Sequence, residues 1–447
     1  LHWPGQTTST LPPKAPAKLE REVFGHWRLN CKTTVLMPRC SFNPIPRGRL
    51  RLLGAAWLGV VLFLAQPMGA QVAPKTVNRL WMPAGDSALN PFFRSLDQLV
   101  FEGNRSVNVV HMGGSHVQAG TLSDALRAHL QAWAPGLEGE RGFLFPFALA
   151  GSNNPASYGV RYGGTWKGQR CAVPQHKGPW GVSGIRAVTH DPASWFALYG
   201  KTQPFAYRVA RIFYRTADTS YAPEFWPKPD SVVLRPDLGA VEAHYATDQD
   251  TVRVRLRKTA PEQRFFSLEG VQLIRDSVGL KYHAIGVNGA ATHSYLKSDR
   301  AAQQWPALAP DLVIFGIGIN DAHLPFGNFD TVAYRIRYEA LMTQIRAVNP
   351  SCSFVFLTNN DCLYNGSVNR HTPLVVETLY RLARRNHAAV WDFHALMGGQ
   401  GSIYSWIRLG LANKDGIHLT KEGYILQAGW LDEALEASYH DYLAKNS

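Results

Sequence analysis

Val107-Asn108-Val109-Val110-His111-Met112-Gly113-Gly114-Ser115-His116 is an apolar run that ends at two glycines. It leads into Thr121–Trp133, where Leu122, Ala125, Leu126 and Leu130 share one helical face. This predicts a strand, a tight turn and a helix. The alternation returns downstream, with Leu312–Ile317 reading as a buried strand, Thr331–Ala347 as a helix and Phe354–Leu357 as a strand. Leu374–Arg385 then reads as a helix, Ala389–Phe393 as a strand and Lys421–Tyr439 as the closing helix. Short apolar strands alternating with amphipathic helices imply an α/β fold in three layers, a parallel sheet with helices on both faces.

Residues 148–269 break this rhythm. They are rich in Gly, Pro and aromatic residues, with short segments such as Arg208–Tyr214, Ser231–Arg235, Val252–Leu256 and Phe265–Leu268 and no long helical period. That predicts an all-β, sandwich-like insert, with residues 71–147 and 270–447 forming the core around it. Trp166, Trp180, Trp195 and Trp226 would suit a sugar-binding surface, and they equally suit the interior of a sheet.

The chain has 447 residues, 45% hydrophobic and 18% charged, enough for a large core. Its formal charge of +13 is uneven: residues 1–70 hold nine Lys/Arg against two acids, which is +7 and leaves +6 for the rest. Such an excess suits contact with an anionic polymer and is also ordinary for a basic protein. No basic stripe or nucleic-acid-reading motif is present, so nucleic acid is not an expected partner.

The first Met is Met37, followed by Arg39, Arg47, Arg49 and Arg51, the apolar run Leu52–Ala65 and the small residues that end at Ala70. This pattern is that of a secretory signal peptide over residues 37–70, with residues 1–36 an upstream extension expected to be disordered. The 14-residue apolar run is shorter than the roughly 20 residues of a membrane-crossing helix, so no stable span is expected. The expected destination is export, to a bacterial periplasm or the exterior. Beyond the signal, Cys171, Cys352 and Cys362 allow at most one disulfide. Cys352 and Cys362 flank an extended strand, too far apart to bridge. No metal-ligand spacing occurs, and no cofactor is called for.

Three short motifs carry chemistry. Ser115 follows the first strand, which puts its hydroxyl at the carboxyl edge of the sheet, beside amide groups of a helix start. Asn320, in Phe315-Gly-Ile-Gly-Ile-Asn-Asp321, follows another strand, so its side-chain amide projects over the same edge as a candidate oxyanion donor. Asp415-Gly-Ile-His418 places a carboxylate within reach of imidazole Nδ1, leaving Nε2 to take a serine proton, with Thr420 available to cap the last helix. Each motif alone is also an ordinary turn.

Together, in this order, they resemble the SGNH (GDSL-type) hydrolases, whose first block carries the nucleophile, third reads Gly-x-Asn-Asp and fifth reads Asp-x-x-His. Here these are Ser115, Gly318–Asp321 and Asp415–His418. The resemblance implies Ser115, Asp415 and His418 as catalytic residues. It also implies an oxyanion hole from the Ser115 and Gly289 backbone and Asn320, with Gly286 close to the second-block position. Gly114 stands where the family has Asp, which implies altered local support for the same mechanism, or else an inactive homologue. Ser115 and Gly289 are 174 residues apart, against ~30 for a simple crossover, so a domain-sized insert separates them.

That layout, with Gly-Gly-Ser-His at the nucleophile, is similar to bacterial peptidoglycan O-acetylesterases. It implies a serine esterase that removes O-acetyl groups from a glycan, without a cofactor. An O-acyltransferase with the same triad and a non-catalytic glycan-binding homologue are the alternatives. His111 and His116 are left without an assigned role, and the sequence does not give the oligomeric state.

Overall fold

In the computed structural model, which describes residues 73–83, 85 and 87–446, five parallel strands lie in the order Leu280–Gly286, Val107–Gly113, Leu312–Gly316, Ser353–Leu357, Ala389–Trp391. The strand that comes first in the chain sits between the second and third. This is the doubly wound 2-1-3-4-5 order, whose ligand crevice opens at the carboxyl edge between the first and third strands. Ser115 and Asn320 follow these two strands.

The core strands are apolar almost throughout because both faces are covered. The helix Thr121–Gln131 buries Leu122, Leu126 and Leu130 at four-residue spacing and packs on the last helix, Lys421–Asn446. Thr331–Arg346 packs on Thr372–Asn386. The Thr331 helix starts sharply because the Asp330 carboxylate accepts from the N–H groups of Val332 and Ala333, both at 2.9 Å. The elements of the parallel core expected from the sequence recur with ends moved by no more than two residues, except the last helix, which runs seven residues beyond Tyr439 to Asn446. Asn90–Asp97, a helix without a predicted counterpart, packs on the last helix and the Ser353–Leu357 strand. Trp81 exchanges two backbone hydrogen bonds of 2.8 Å with Val390, which covers the outer edge of the sheet.

Antiparallel strands run from Gly142 to Ile274. One sheet has the order Lys167–Arg170, Ile185–Thr189, Phe266–Ile274, Tyr207–Tyr214, Ala240–Gln249, Ser231–Arg235, with Gly142–Leu144 also paired to Phe266–Ile274. The other has Tyr158–Gly163, Trp195–Gly200, Thr251–Arg257 and Ala222–Phe225. This β-rich insert shares one apolar core with the parallel sheet: Ile212, Leu268 and Val271 belong to the same buried cluster as Val110, Met112, Val313 and Phe315. A buried pair, Arg300 with Glu269 at 2.8 Å, ties the two parts together, and Gln304 donates to the same carboxylate at 2.6 Å.

Cys171, Cys352 and Cys362 are buried free thiols; burial pushes Cys171 up to about 12 and Cys362 up to about 11, so both stay protonated and unreactive. No helix among the described residues is long and apolar enough to cross a membrane. The expected extension 1–36 and signal peptide 37–70 lie outside the described residues.

Candidate active site

The strand Val107–Gly113 ends at Gly114, and the short helix Ser115–Gln118 starts on the nucleophile candidate itself. Ser115 Oγ lies 2.7 Å from His418 Nε2. His418 Nδ1 lies 2.7 Å from Asp415 Oδ2, and because a carboxylate only accepts, Nδ1 carries the proton and Nε2 faces the serine as acceptor.

The turn that holds this pair is set locally. Asp415 Oδ1 accepts from the N–H groups of Ile417 at 2.9 Å and His418 at 3.0 Å, while Gly416 takes φ +67°, a conformation that Gly adopts without strain. Leu363 N–H donates to the Gly416 carbonyl at 2.7 Å, and the Asn360 amide to the Ile417 carbonyl at 3.0 Å, so the loop after the fourth sheet strand pins the turn. Thr420 Oγ1 accepts from Gly423 N–H at 3.2 Å and caps the last helix. Burial raises the Asp415 pKa, but the bonds from His418 and the two backbone N–H groups outweigh it and hold the carboxyl below its ordinary value.

Asn320 begins its turn from a strand end fixed by two tyrosines, Tyr334 and Tyr338, whose hydroxyls donate to the Ile317 carbonyl at 2.8 and 2.5 Å. Its Nδ2 donates to the Ala290 carbonyl at 2.9 Å. An amide has two N–H groups, so one remains for a ligand. The next residue, Asp321, does a different job. It is buried and accepts from Thr292 N–H at 2.9 Å and Thr292 Oγ1 at 2.6 Å, which holds the loop carrying Ala290 against Asn320. Burial raises its pKa despite these bonds.

Gly286 and Gly289 are now separated by their surroundings. Gly286 ends a sheet strand, and a Cβ there would come within 2.3 Å of Gln118 N, so this glycine serves close packing. Gly289, at φ +81°, lines the same cleft as Ser115, Asn320 and His418. Its loop is held by Gln118, which accepts from Asn288 N–H at 2.7 Å and donates to Ser152 Oγ at 2.8 Å. Asn288 also donates to Asn153 Oδ1 at 2.9 Å, so an insert residue forms part of the cleft wall. A Cβ at Gly114 would sit 3.0 Å from Asn320 Nδ2. Gly114 thus leaves room for the Asn320 amide.

Of the two unassigned histidines, His111 is fully buried inside the strand, 2.8 Å from the Tyr282 hydroxyl, and burial lowers its pKa to about 3. His116 lies beside His418. The sequence alone gives no role to Gln118, Asn288, Asn153 or Tyr424, and marks Asp321 only as the last residue of the Gly318–Asp321 motif. Gln118 left a local trace, sitting three residues after Ser115 on the same short helix.

A serine, an imidazole and a carboxylate in line, opposite amide donors, form an arrangement suited to acyl transfer. Residues 266–426 match the model of the GDSL-like lipase/acylhydrolase family, which supports a carboxylic ester hydrolase. The matched span begins at the insert's last strand, Phe266–Ile274, so Ser115 lies outside it and reaches the site through sheet pairing.

Among solved structures, a peptidoglycan O-acetylesterase is similar at 21% identity and TM-score 0.65, covering 81% of this chain and 99% of its own; the fold is shared. An acetyl xylan esterase matches at 15% identity and TM-score 0.29, over 35% of this chain and 81% of its own. The lipase/acylhydrolase from Enterococcus faecalis matches at 19% identity and TM-score 0.29, over 36% and 77%. Comparison with curated proteins found no match.

Proposed function

We propose that this protein is an exported bacterial serine esterase that removes O-acetyl groups from a polysaccharide, with peptidoglycan the first candidate, through an acyl-serine intermediate. The observation that carries the proposal is the unbroken relay Ser115–His418–Asp415, at 2.7 Å per link, opening onto a cleft also lined by Gly289 and Asn320.

His418 Nε2 takes the Ser115 proton as Oγ attacks the ester carbonyl. The negative charge that develops on the carbonyl oxygen meets the backbone N–H groups of Ser115 and Gly289 and the second N–H of Asn320. His418 then protonates the departing sugar oxygen. Water repeats the sequence on the acyl-enzyme and releases acetate, while Asp415 keeps the tautomer and steadies the imidazolium in both halves. No step calls on a cofactor.

The insert is proposed to help seat the glycan. Trp180 is buried and Trp166 packs edge-on against Phe196 and Phe266, so these two belong to the interior. Trp195 and Trp226, at 41% and 63% exposure, are left to meet a sugar.

The test is acetate release from O-acetylated peptidoglycan and from a small acetyl ester, with Ser115→Ala and His418→Ala beside the parent. Both variants are expected to lose at least about 10⁴-fold in rate while melting like the parent. Acetate release from neither substrate by the parent would sink the proposal, and acetyl transfer to a sugar hydroxyl in place of water would make the protein an acyltransferase.

A further inference from the structure

His116, next to Ser115 in the chain, is a titratable group beside His418 that this mechanism leaves idle. Its ring stacks on that of His418, with centroids 5.1 Å apart and planes 27° from parallel. Tyr424, from the first turn of the last helix, stands edge-on to His116 at 5.5 Å and 83°, and its hydroxyl lies 2.9 Å from His116 Nδ1. His116 Nε2 is buried without a hydrogen-bond partner. What His116 offers its neighbour is therefore a flat face, fixed from behind. Burial, and secondarily the neighbouring His418, lower its pKa to about 3, so the face stays neutral while His418 gains and loses a proton.

The need for such a face arises midway through the reaction. In the free enzyme, His418 is held at both nitrogens, by Asp415 and by Ser115. Once Ser115 is acylated, its Oγ is an ester oxygen with no hydrogen to donate, and the bond at Nε2 is gone. Asp415 then holds the ring at one atom only, at the moment when Nε2 must line up with water. The stack on His116 does not involve the serine hydroxyl, so it survives acylation.

We propose that His116, braced by Tyr424, is a positioning residue that fixes the plane of the His418 imidazole in the acyl-enzyme and so acts chiefly on deacylation. In that half-reaction the water oxygen bonds to the acetyl carbon as its proton passes to His418 Nε2. The proton then goes to Ser115 Oγ as the C–Oγ bond breaks, and acetate leaves. This rests on the serine-esterase reading above.

The experiment is stopped-flow and steady-state hydrolysis of p-nitrophenyl acetate by the parent, His116→Ala, His116→Phe, Tyr424→Phe and Ser115→Ala, with melting curves for each. For His116→Ala, kcat is expected to fall about tenfold. The ratio kcat/KM, which reports acylation, should stay near the parent's, and the p-nitrophenol burst should approach one per active site. His116→Phe, which restores a flat ring, should recover most of kcat. Tyr424→Phe keeps its ring but loses the brace, and should show the same split to a smaller degree, which preserves the test if His116→Ala does not fold.

Parent-like kcat in His116→Ala overturns the inference. So does a parallel fall of kcat and kcat/KM, the pattern of general loosening, or a His116→Phe variant as slow as His116→Ala. Activity persisting in Ser115→Ala would instead defeat the serine-esterase reading itself.

Discussion

The cleft at the parallel sheet and the outer face of the insert's four-stranded sheet both present polar and aromatic side chains, but they hold them differently. In the cleft three groups are tied down by partners: Asn320 by the Ala290 carbonyl, the Gly289 loop by Gln118, and His418 by Asp415 and Ser115. On the outer face, cross-strand register brings Arg161, Trp195, Arg253, Arg255 and Glu224 to one side, while Val252, Val254 and Leu256 go to the core. There Arg253 lies over the Trp226 ring at 5.3 Å and Arg161 over Tyr199 at 5.4 Å, and Glu224 pairs with both Arg255 and Arg257. On the proposed function, the cleft must meet a transition state and so has its dipoles fixed in advance, whereas a face proposed to meet a polymer can keep adjustable arginines and rings.

This contrast predicts large losses from single changes in the cleft and small ones on the outer face. The steepest is Asp415→Asn, which leaves the geometry but removes the charge that sets the His418 tautomer. Its kcat on an acetyl ester should fall by about 10³ to 10⁴, and a loss under tenfold would mean that Asp415 only shapes the turn. Asn320→Ala should lower kcat by about 10² to 10³ with KM little changed. A rise in KM alone would make Asn320 a substrate contact and blur the comparison.

The pH response should come from the protein's interior. His111 and His283 are fully buried, and burial lowers each pKa to about 3, so the folded protein refuses protons that the unfolded chain accepts. A histidine with a depressed folded pKa contributes stability that is complete above the unfolded value, about 6.5, and is lost as pH falls toward about 3. Each can remove up to about 1.4 kcal/mol per pH unit in that window. Urea unfolding at pH 7 and pH 5 should show the fall, and a flat profile would contradict the burial argument. The smallest expected effect is Trp226→Ala: hydrolysis of a small acetyl ester should be unchanged, and retention on acetylated peptidoglycan should weaken. If the small-ester rate fell as well, the outer face and the cleft would be coupled.

Much of this was legible in the chain. The alternation from Val107 to Tyr439 marked the parallel core, because strands buried on both faces must be apolar runs and helices on a sheet must carry one apolar stripe. The aromatic-rich stretch before Phe265 marked the antiparallel insert. Ser115, Asn320, Asp415 and His418 were visible because each sits in a short turn directly after or beside a strong periodic element. The second-block glycine was harder to fix: Gly286 and Gly289 look alike in sequence, and only the Gln118 backbone pressed against Gly286 told them apart. The tryptophans were harder still, since an aromatic ring on a strand fits a core and a sugar platform equally well.

The sequence by itself determined the element types, the turn that joins Asp415 to His418, and the presence of a serine and an amide at strand ends, because all of these depend on neighbours a few residues apart. Tertiary structure decided what depends on distance across the chain. Sheet pairing brought Ser115 to within 2.7 Å of a histidine 303 residues away. Packing turned Asp321 into the anchor of the Thr292 loop and set His116 against His418. Shared burial fused the insert to the core in one hydrophobic cluster. Such contacts follow from which strands and helices lie side by side, and no local pattern records that choice.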